Sequence, residues 1–264
     1  MRTLDQLAEI AQKAVSIGNA LIKTTRPQTV TEKSDRDTYT DVDVRIQHEI
    51  RTYLAEATPE IGFIGEEEGT SSQTSRSEYV WTLDPIDGTA NFVHGIPLCA
   101  VQVALLRQKR AIVSAVSLPY FDTTYWAIEN EGAFANGKRI QVSATASASQ
   151  SVVAIGDYAT GDNAARKNFT RLTLTAALAA DVERIRMFGS AAHDLVWLAE
   201  GRIDAVIILS NNSWDMAPGT LIAKEAGAIL IDGSGQPYNQ DSQETIAMTP
   251  GVESYVRELL NQCL

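Results

Sequence analysis

Four apolar runs follow one another between Ala100 and Val142, "VQVALL", "AIVSAVSL", "TTYWAIEN" and "KRIQVS", with only Gly, Asn and Asp turns between them. Strands joined by links that short must run antiparallel, because a parallel neighbour needs a crossover of a dozen or more residues. Beyond residue 151 the order changes. The strands "VVAIGD", "RIRMF", "DAVIIL" and "AILIDG" alternate with helical segments around 162–180, at "SAAHDLVWLAEG" and "MAPGTLIAKEAG", and from about Val252. Such alternation predicts a sheet flanked by helices. The small, uncharged stretch "SATASASQS", residues 143–151, reads as the joint between them, so the chain divides into 1–147 and 148–264.

The first hundred residues add two helices and two strands. Leu4, Leu7, Ala8, Ala11, Ala14, Val15, Gly18, Leu21 and Ile22 recur at three- and four-residue intervals, a helix with one buried face that ends before Pro27. A second helical pattern begins after "TYTDVD" and carries Val44, Ile46, Ile50, Tyr53 and Leu54 up to Pro59. "IGFIG" and "YVWTLD" read as short buried strands on either side of the polar loop "TSSQTSRSE".

Composition narrows the function classes. With 44% hydrophobic and 21% charged residues over 264 positions the chain has the make-up of a soluble globular protein. No stretch approaches the roughly 20 apolar residues of a membrane-spanning helix, and the start "MRTLDQLAEIAQKAV" is amphipathic with no signal-peptide core, so a cytoplasmic location and no membrane partner are expected. Cys99 and Cys263 are the only cysteines, which argues against a disulfide framework or a cysteine zinc site. A net charge of -11 repels nucleic-acid phosphates, so no nucleic-acid partner is expected. Solubility accounts for such acidity; carboxylates that hold cations account for it equally.

The segment "WTLDPIDGTANF", residues 81–92, decides between these. It ends an apolar strand on Asp84 and sets Asp87, Gly88 and Thr89 at the turn that follows. Two carboxylates so close repel each other unless a positive charge lies between them. The turn offers hard oxygen ligands at Asp84, Asp87 and the Ile86 carbonyl, beside the N–H groups of Gly88 and Thr89 for an anion. Mg²⁺ takes few protein carboxylates and completes its octahedron with water or phosphate oxygens, which suits phosphoryl transfer. By itself the string also fits a capped turn. Further acids stand at element ends after apolar residues: Glu66 and Glu67 in "GFIGEEEG", Asp215 in "SWDMAPG" and Asp43 in "TDVD".

Taken in order, "GEE", "DPIDGTANFVHGIP", "GSAA" and "WDMAPG" followed by "EAGAILID" resemble the inositol monophosphatase family of Mg²⁺-dependent, lithium-sensitive phosphatases, over nearly the whole chain. The resemblance implies an αβαβα layered α/β fold, with an antiparallel N-terminal sheet and a mixed C-terminal one, and an active site between the two halves. It implies that Glu66, Asp84 and the Ile86 carbonyl hold one Mg²⁺, and that Asp84, Asp87 and Asp215 hold a second. A third, weaker ion leans on Glu66. The implied mechanism is direct in-line attack on a phosphate monoester by a metal-activated water, whose proton Thr89 and Asp43 help to remove, with Glu67 close by. Gly88 and Thr89 would cradle the phosphate; Asp87, Gly189, Ser190 and Ala191 would meet the polyol. Members of the family are commonly homodimers.

Three features depart from the family pattern. Ile208 stands seven residues before the "WD" aspartate, where members that prefer inositol phosphate carry a glutamate that contacts a ring hydroxyl. Either Asn211 or Asn212 takes over, or the alcohol differs; histidinol phosphate, a sugar bisphosphate such as fructose bisphosphate, and a nucleotide bisphosphate stay open. Pro218 is expected in the first turn of a helix capped by Asp215, where its missing N–H costs little. Lys33 stands one residue nearer its aspartate than the resemblance leads one to expect.

Other readings are weaker. "GAFANGKR" nearly spells a P-loop, but Arg139 stands where a Mg²⁺-binding hydroxyl belongs and a strand follows, so a hairpin is expected. "DVDVRIQHE" lacks the glycine of a calcium loop, having Ile46 there. His48, His94 and His193 have no zinc-protease spacing, and are read as structural, with His94 and His193 as possible neighbours of the site. An aspartyl-phosphate enzyme would need D-x-D, whereas two residues separate Asp84 from Asp87. A regulatory or binding protein on the same fold also stays open.

Overall fold

The computed structural model of the protein describes residues 2–67, 69–70, 77–210 and 213–263. Most of the loop "TSSQTSRSE" and both Asn211 and Asn212 lie outside the described residues, as does the Trp214 side chain. The chain begins with α1 (Leu4–Thr24), opened by a capping box in which the Thr3 hydroxyl accepts from Gln6 N and the Gln6 side chain accepts from Thr3 N. A hairpin absent from the sequence reading follows, β1 (Val30–Ser34) and β2 (Asp37–Thr40), and then α2 (Asp41–Ala57). This second helix starts ahead of its predicted position because Thr40 caps it and Asp43 fills the third position of the box, its carboxylate accepting from Thr40 N at 2.9 Å.

Two sheets carry the rest. The first takes β3 (Gly62–Gly65), β4 (Gly69–Thr70), β5 (Tyr79–Asp87), β6 (Ala100–Arg107), β7 (Arg110–Leu118), β8 (Thr123–Ile128), β9 (Gly132–Ala135) and β10 (Lys138–Ile140) in the order β10-β9-β8-β7-β6-β5-β3-β4. Every described pair in it is antiparallel except β3 with β5, which run parallel. The P-loop-like "GAFANGKR" is the β9–β10 hairpin, turned by Asn136 and Gly137 at positive φ. A short helix, α3 (Thr89–Val93), leaves the end of β5.

The second sheet is built from β11 (Val152–Ile155), β12 (Arg184–Arg186), β13 (Ala205–Ile208), β14 (Ile229–Ile231) and β15 (Thr245–Met248), in the order β12-β11-β13-β15-β14. β11 runs parallel to β12 and β13, whereas β15 is antiparallel to both its neighbours, so the sheet is mixed. β15 is another element the sequence reading lacks. Its helices are α4 (Ala164–Asp181), α5 (Ala191–Ala199), α6 (Ser213–Glu225) and α7 (Glu253–Cys263).

Four apolar clusters define the layers. Leu7, Val15, Ile46 and Ile50 of α1 and α2 meet Trp81, Leu83 and Val103 on one face of the first sheet. Ala192, Val196, Ala217 and Leu221 of α5 and α6 meet Ala104, Val116 and Tyr125 on its other face. The opposite sides of α5 and α6, through Leu195, Leu198 and Ala223, meet Val206 and Ala247 of the second sheet. Leu174, Leu178, Val256 and Leu260 of α4 and α7 cover its far side. The architecture is αβαβα, with α5 and α6 sandwiched between the sheets.

Gly18 marks the closest approach of the first layer. A Cβ there would lie 2.8 and 2.9 Å from the Val101 methyls and 3.0 Å from Ile46 Cγ2. Alanine normally stabilises a helix interior by about 1 kcal/mol over glycine. At this position Gly18→Ala is expected to destabilise instead, by about 1–3 kcal/mol of overpacking, measured as the urea midpoint.

Candidate active site

Asp84 and Asp87 lie three residues apart, which in an unbroken strand would send them to opposite faces. The ladder between β5 and β6 prevents that. Asp84 pairs with Gln102 and Asp87 with Ala100, so three steps on β5 oppose two on β6 and one extra residue is inserted as a bulge. Pro85, which has no N–H to give the ladder, sits in it. Leu83 and Ile86 accordingly both join the core under α1 and α2, which leaves both aspartates to the other side.

Asp84 is 2% exposed. Its Oδ2 accepts from Gln102 Nε2 at 3.2 Å, and its Oδ1 is buried with no hydrogen-bond partner among the described residues. Glu66, just past β3, and Asp215, in the first turn of α6, each bring a carboxylate oxygen to it, the three atoms all within 4.8 Å of one another. Burial raises the Asp84 carboxyl well above its ordinary range, and the charges of Glu66, Asp215 and Asp87 raise it further. Three acids on three elements around an unsatisfied buried oxygen fit a hard divalent cation, since the donors are all oxygen.

Asp87 is held by the second half of the chain. Its Oδ2 accepts from Ala192 N at 2.7 Å and from the Ser190 hydroxyl, at the start of α5. Ser190 also caps α5 through His193 N and shares a hydrogen bond with His193 Nδ1 at 3.1 Å. Burial pushes Asp87 up to about 6 against the lowering effect of those bonds. His193, read as a possible neighbour of the site, is fully buried and held down at about 3 by its apolar surroundings; His48 and His94 are exposed.

Gly88 follows with φ 86°, and a Cβ on it would stand 2.8 Å from Leu98 O and 3.1 Å from Gly189 O. No other residue fits. Asn91 Nδ2 closes the same corner by donating to Leu98 O at 2.8 Å and Phe188 O at 2.7 Å, bringing Gly189, Ser190 and Ala191 beside the turn. Thr89 Oγ1 lies 2.9 Å from Ile86 O and 3.2 Å from Asp43 Oδ1. Asp43 is buried beneath it and is pushed up to about 6 by desolvation, although Thr40 hydrogen bonds pull the other way.

The β1–β2 hairpin brings Lys33 to the same place: its Nζ is 2.7 Å from both Glu66 Oε1 and Glu67 Oε1. Burial pulls this ammonium down, but the two glutamates outweigh it and hold it above the ordinary lysine range. Glu67 in turn is raised to about 7, by burial first and against the Lys33 hydrogen bond.

The structure thus gathers Asp43, Glu66, Glu67, Asp84, Ile86, Asp87, Gly88, Thr89, Ser190 and Asp215 around one region, drawn from both halves of the sequence. One expectation changes. α6 begins at Ser213, so Pro218 lies inside the helix and removes the N–H that would pair with the carbonyl of residue 214. Ile208 is 6% exposed and packs with Leu195, Val206 and Ala247, so it presents no polar group.

Supporting residues the sequence reading passed over are Gln102, Gln47 and Asn91. Gln47 Oε1 accepts from Glu67 N at 3.1 Å, and a Cβ on Gly65 would collide with it at 2.2 Å. The signal was present: Gln102 interrupts "AVQVALL", and Gln47 sits on the buried face between Ile46 and Ile50.

Comparison with known proteins identifies the family and the fold. The model of the inositol monophosphatase family matches residues 3–262. A fructose-1,6-bisphosphatase/inositol-1-monophosphatase of Aquifex aeolicus (strain VF5) is 34% identical over 244 residues, 90% of this chain and 89% of that protein. Inositol monophosphatase 1 of Solanum lycopersicum is 34% identical over 265 residues, 97% of this chain and 96% of that protein. The crystal structure of the extragenic suppressor protein suhB of Bartonella henselae superposes with a TM-score of 0.89 at 30% identity, covering 97% of this chain and 98% of that one. Since the match runs over residues 3–262 and so takes in both sheets, the chain belongs to the inositol monophosphatase family and is a phosphatase.

Proposed function

We propose that the protein hydrolyses the phosphate monoester of a small polyol, myo-inositol monophosphate first among them, by direct attack of water with Mg²⁺ bound. The observation that carries this reading is the Glu66–Asp84–Asp215 cluster, with Asp84 Oδ1 buried and unsatisfied, next to the Thr89–Asp43 pair. Glu66, Asp84, Asp215, Asp87 and the Ile86 carbonyl are the residues that would hold two or three Mg²⁺. Bound there, Mg²⁺ supplies Lewis acidity toward the phosphoryl oxygens and lowers the pKa of water.

The chain's own residues do the remainder. Thr89 gives its own hydroxyl proton to the Asp43 carboxylate as it accepts one from the attacking water, whose oxygen bonds to phosphorus while the ester P–O bond breaks and the alcohol leaves. Glu67, raised to about 7, stands near as a second acceptor. The N–H groups of Gly88 and Thr89, at the start of α3, hold the phosphate. Gly189, Ser190 and Ala191, tied to the turn through Asn91 and Asp87, form the wall for the polyol. Because Asp215 comes from the second half and Asp84 from the first, segments 1–147 and 148–264 are each inactive alone.

Buried Ile208 favours a second reading, in which the alcohol is another sugar phosphate such as fructose bisphosphate. The deciding experiment is phosphate release from a panel of monoesters with and without Mg²⁺, repeated with Li⁺. Fast, Mg²⁺-dependent, Li⁺-suppressed release from myo-inositol 1-phosphate supports the first reading. Preference for another ester moves the substrate, and silence across the panel sinks the mechanism. Within the active case, Thr89→Ala is expected to lower kcat about a hundredfold or more with the Mg²⁺ concentration for half-maximal activity unchanged; an unaltered kcat would reduce Thr89 to a turn residue.

A further inference from the structure

A second cleft, of about 620 Å³, opens where the β6–β7 turn meets the C-terminal end of α6 and the segment after β14. That volume lies in the range of small-molecule sites. Leu221, Leu230 and Tyr238 make an apolar floor, with the Tyr238 hydroxyl held by Thr220 and Thr245. Lys109, Arg110 and Lys224 line the rim. Lys109 Nζ lies 2.8 Å from Asp241 Oδ1 and Arg110 Nη2 3.0 Å from Glu129 Oε2, while Lys224 has no carboxylate partner among the described residues. In a chain of net charge -11 this rim is a local exception. Gln240 Oε1, also in the lining, is buried and accepts no hydrogen bond among the described residues, which costs free energy unless a ligand supplies a donor.

We propose that this cleft is a binding site for a small organic anion: an apolar ring system that offers a hydrogen-bond donor to Gln240 Oε1 and a phosphate, sulfonate or carboxylate to Lys224 and Lys109. The apolar floor takes the ring, the amide oxygen selects the donor, and the rim neutralises the anion. Asp215 and Lys224 occupy opposite ends of α6, about 14 Å apart along its axis at 1.5 Å per residue. The site is therefore distinct from the acidic one, and its test stands independently of the phosphatase substrate.

The probe is 8-anilinonaphthalene-1-sulfonate, which carries rings, an N–H donor and an anion, and which a phosphatase cannot hydrolyse. Fluorescence titration of the full chain is expected to give one saturable site. Lys224→Glu, an exposed position, is expected to weaken it about tenfold or more, and Gln240→Leu several-fold. Lys167→Glu, beside the exposed Phe169 and Leu172 of α4, controls for dye on a surface patch and is expected to leave the affinity unchanged. Mg²⁺ with inorganic phosphate, which addresses the acidic site, is expected not to displace the dye. No saturable binding, wild-type affinity in Lys224→Glu, or displacement by Mg²⁺ and phosphate would each overturn the proposal.

Discussion

Asp84→Asn is expected to lower Mg²⁺-dependent phosphate release about a thousandfold while making the metal-free protein more stable. The two effects have one cause. Asp84 is a fully enclosed carboxylate facing Glu66 and Asp215, so its charge is unfavourable without a cation and indispensable with one. Loss of a residue that merely orients a metal ligand costs 10- to 100-fold, and loss of one transition-state donor about 10²–10³; Asp84, the buried centre of the proposed metal site, is expected at the upper end. The amide keeps shape and can still accept from Gln102, so the fold survives. In EDTA the thermal midpoint is expected to rise by at least about 2 °C, the shift that about 1 kcal/mol produces in a chain of this size. Near-wild-type turnover would remove Asp84 from the metal site; a lowered midpoint would mean that Asp84 is a structural carboxylate. Asp215→Asn is expected to lose activity similarly, whereas Asp87→Asn also weakens the start of α5.

Chelation is expected to expose the same electrostatics as a pH dependence. Burial raises Asp43 and Asp87 to about 6 and Glu67 to about 7, above the roughly 4 of these carboxyls in an unfolded chain. Above pH 4 the folded chain therefore holds protons that the unfolded chain has released. This contribution is complete below about pH 4 and is lost as pH rises through 6 to 7. His193, held at about 3, works in the opposite sense, but only below about 6.5, its unfolded value. Between pH 6.5 and 8 the acids decide the sign, and the midpoint in EDTA is expected to fall. Mg²⁺ at a hundred times its Kd adds about 2.7 kcal/mol, and its increment grows with pH because cation and protons compete for the same oxygens. Scanning calorimetry over this window, with and without Mg²⁺, checks both trends; an EDTA midpoint that climbed with pH would refute the account.

Much of the site is legible in sequence because its parts are local. Asp84, Asp87, Gly88 and Thr89 occupy one turn, and Glu66 with Glu67 ends another strand, so acids placed just after apolar runs are visible without coordinates. The antiparallel run and the second sheet with its flanking helices follow from element order for the same reason, since hydrophobic periodicity reports which face each helix or strand buries; the stacking into five layers was implied only by the family resemblance. Thr245–Met248 escaped that reading: it is four residues long and buried on both faces, with no alternation to betray it. The hairpin at residues 30–40 escaped because β1 is exposed throughout.

Relations between distant residues, by contrast, arise only on packing. The bulge that turns Asp84 and Asp87 to one side exists through pairing with Gln102 and Ala100. Lys33 reaches Glu66 and Glu67 across more than thirty positions, and Ser190 reaches Asp87 across 103. Which groups can carry charge and where local elements begin are settled within the order of residues, because capping and periodicity act over a few positions. Which charges face one another, and which are stripped of water, depends on how the layers stack, and that is a property of the packed chain.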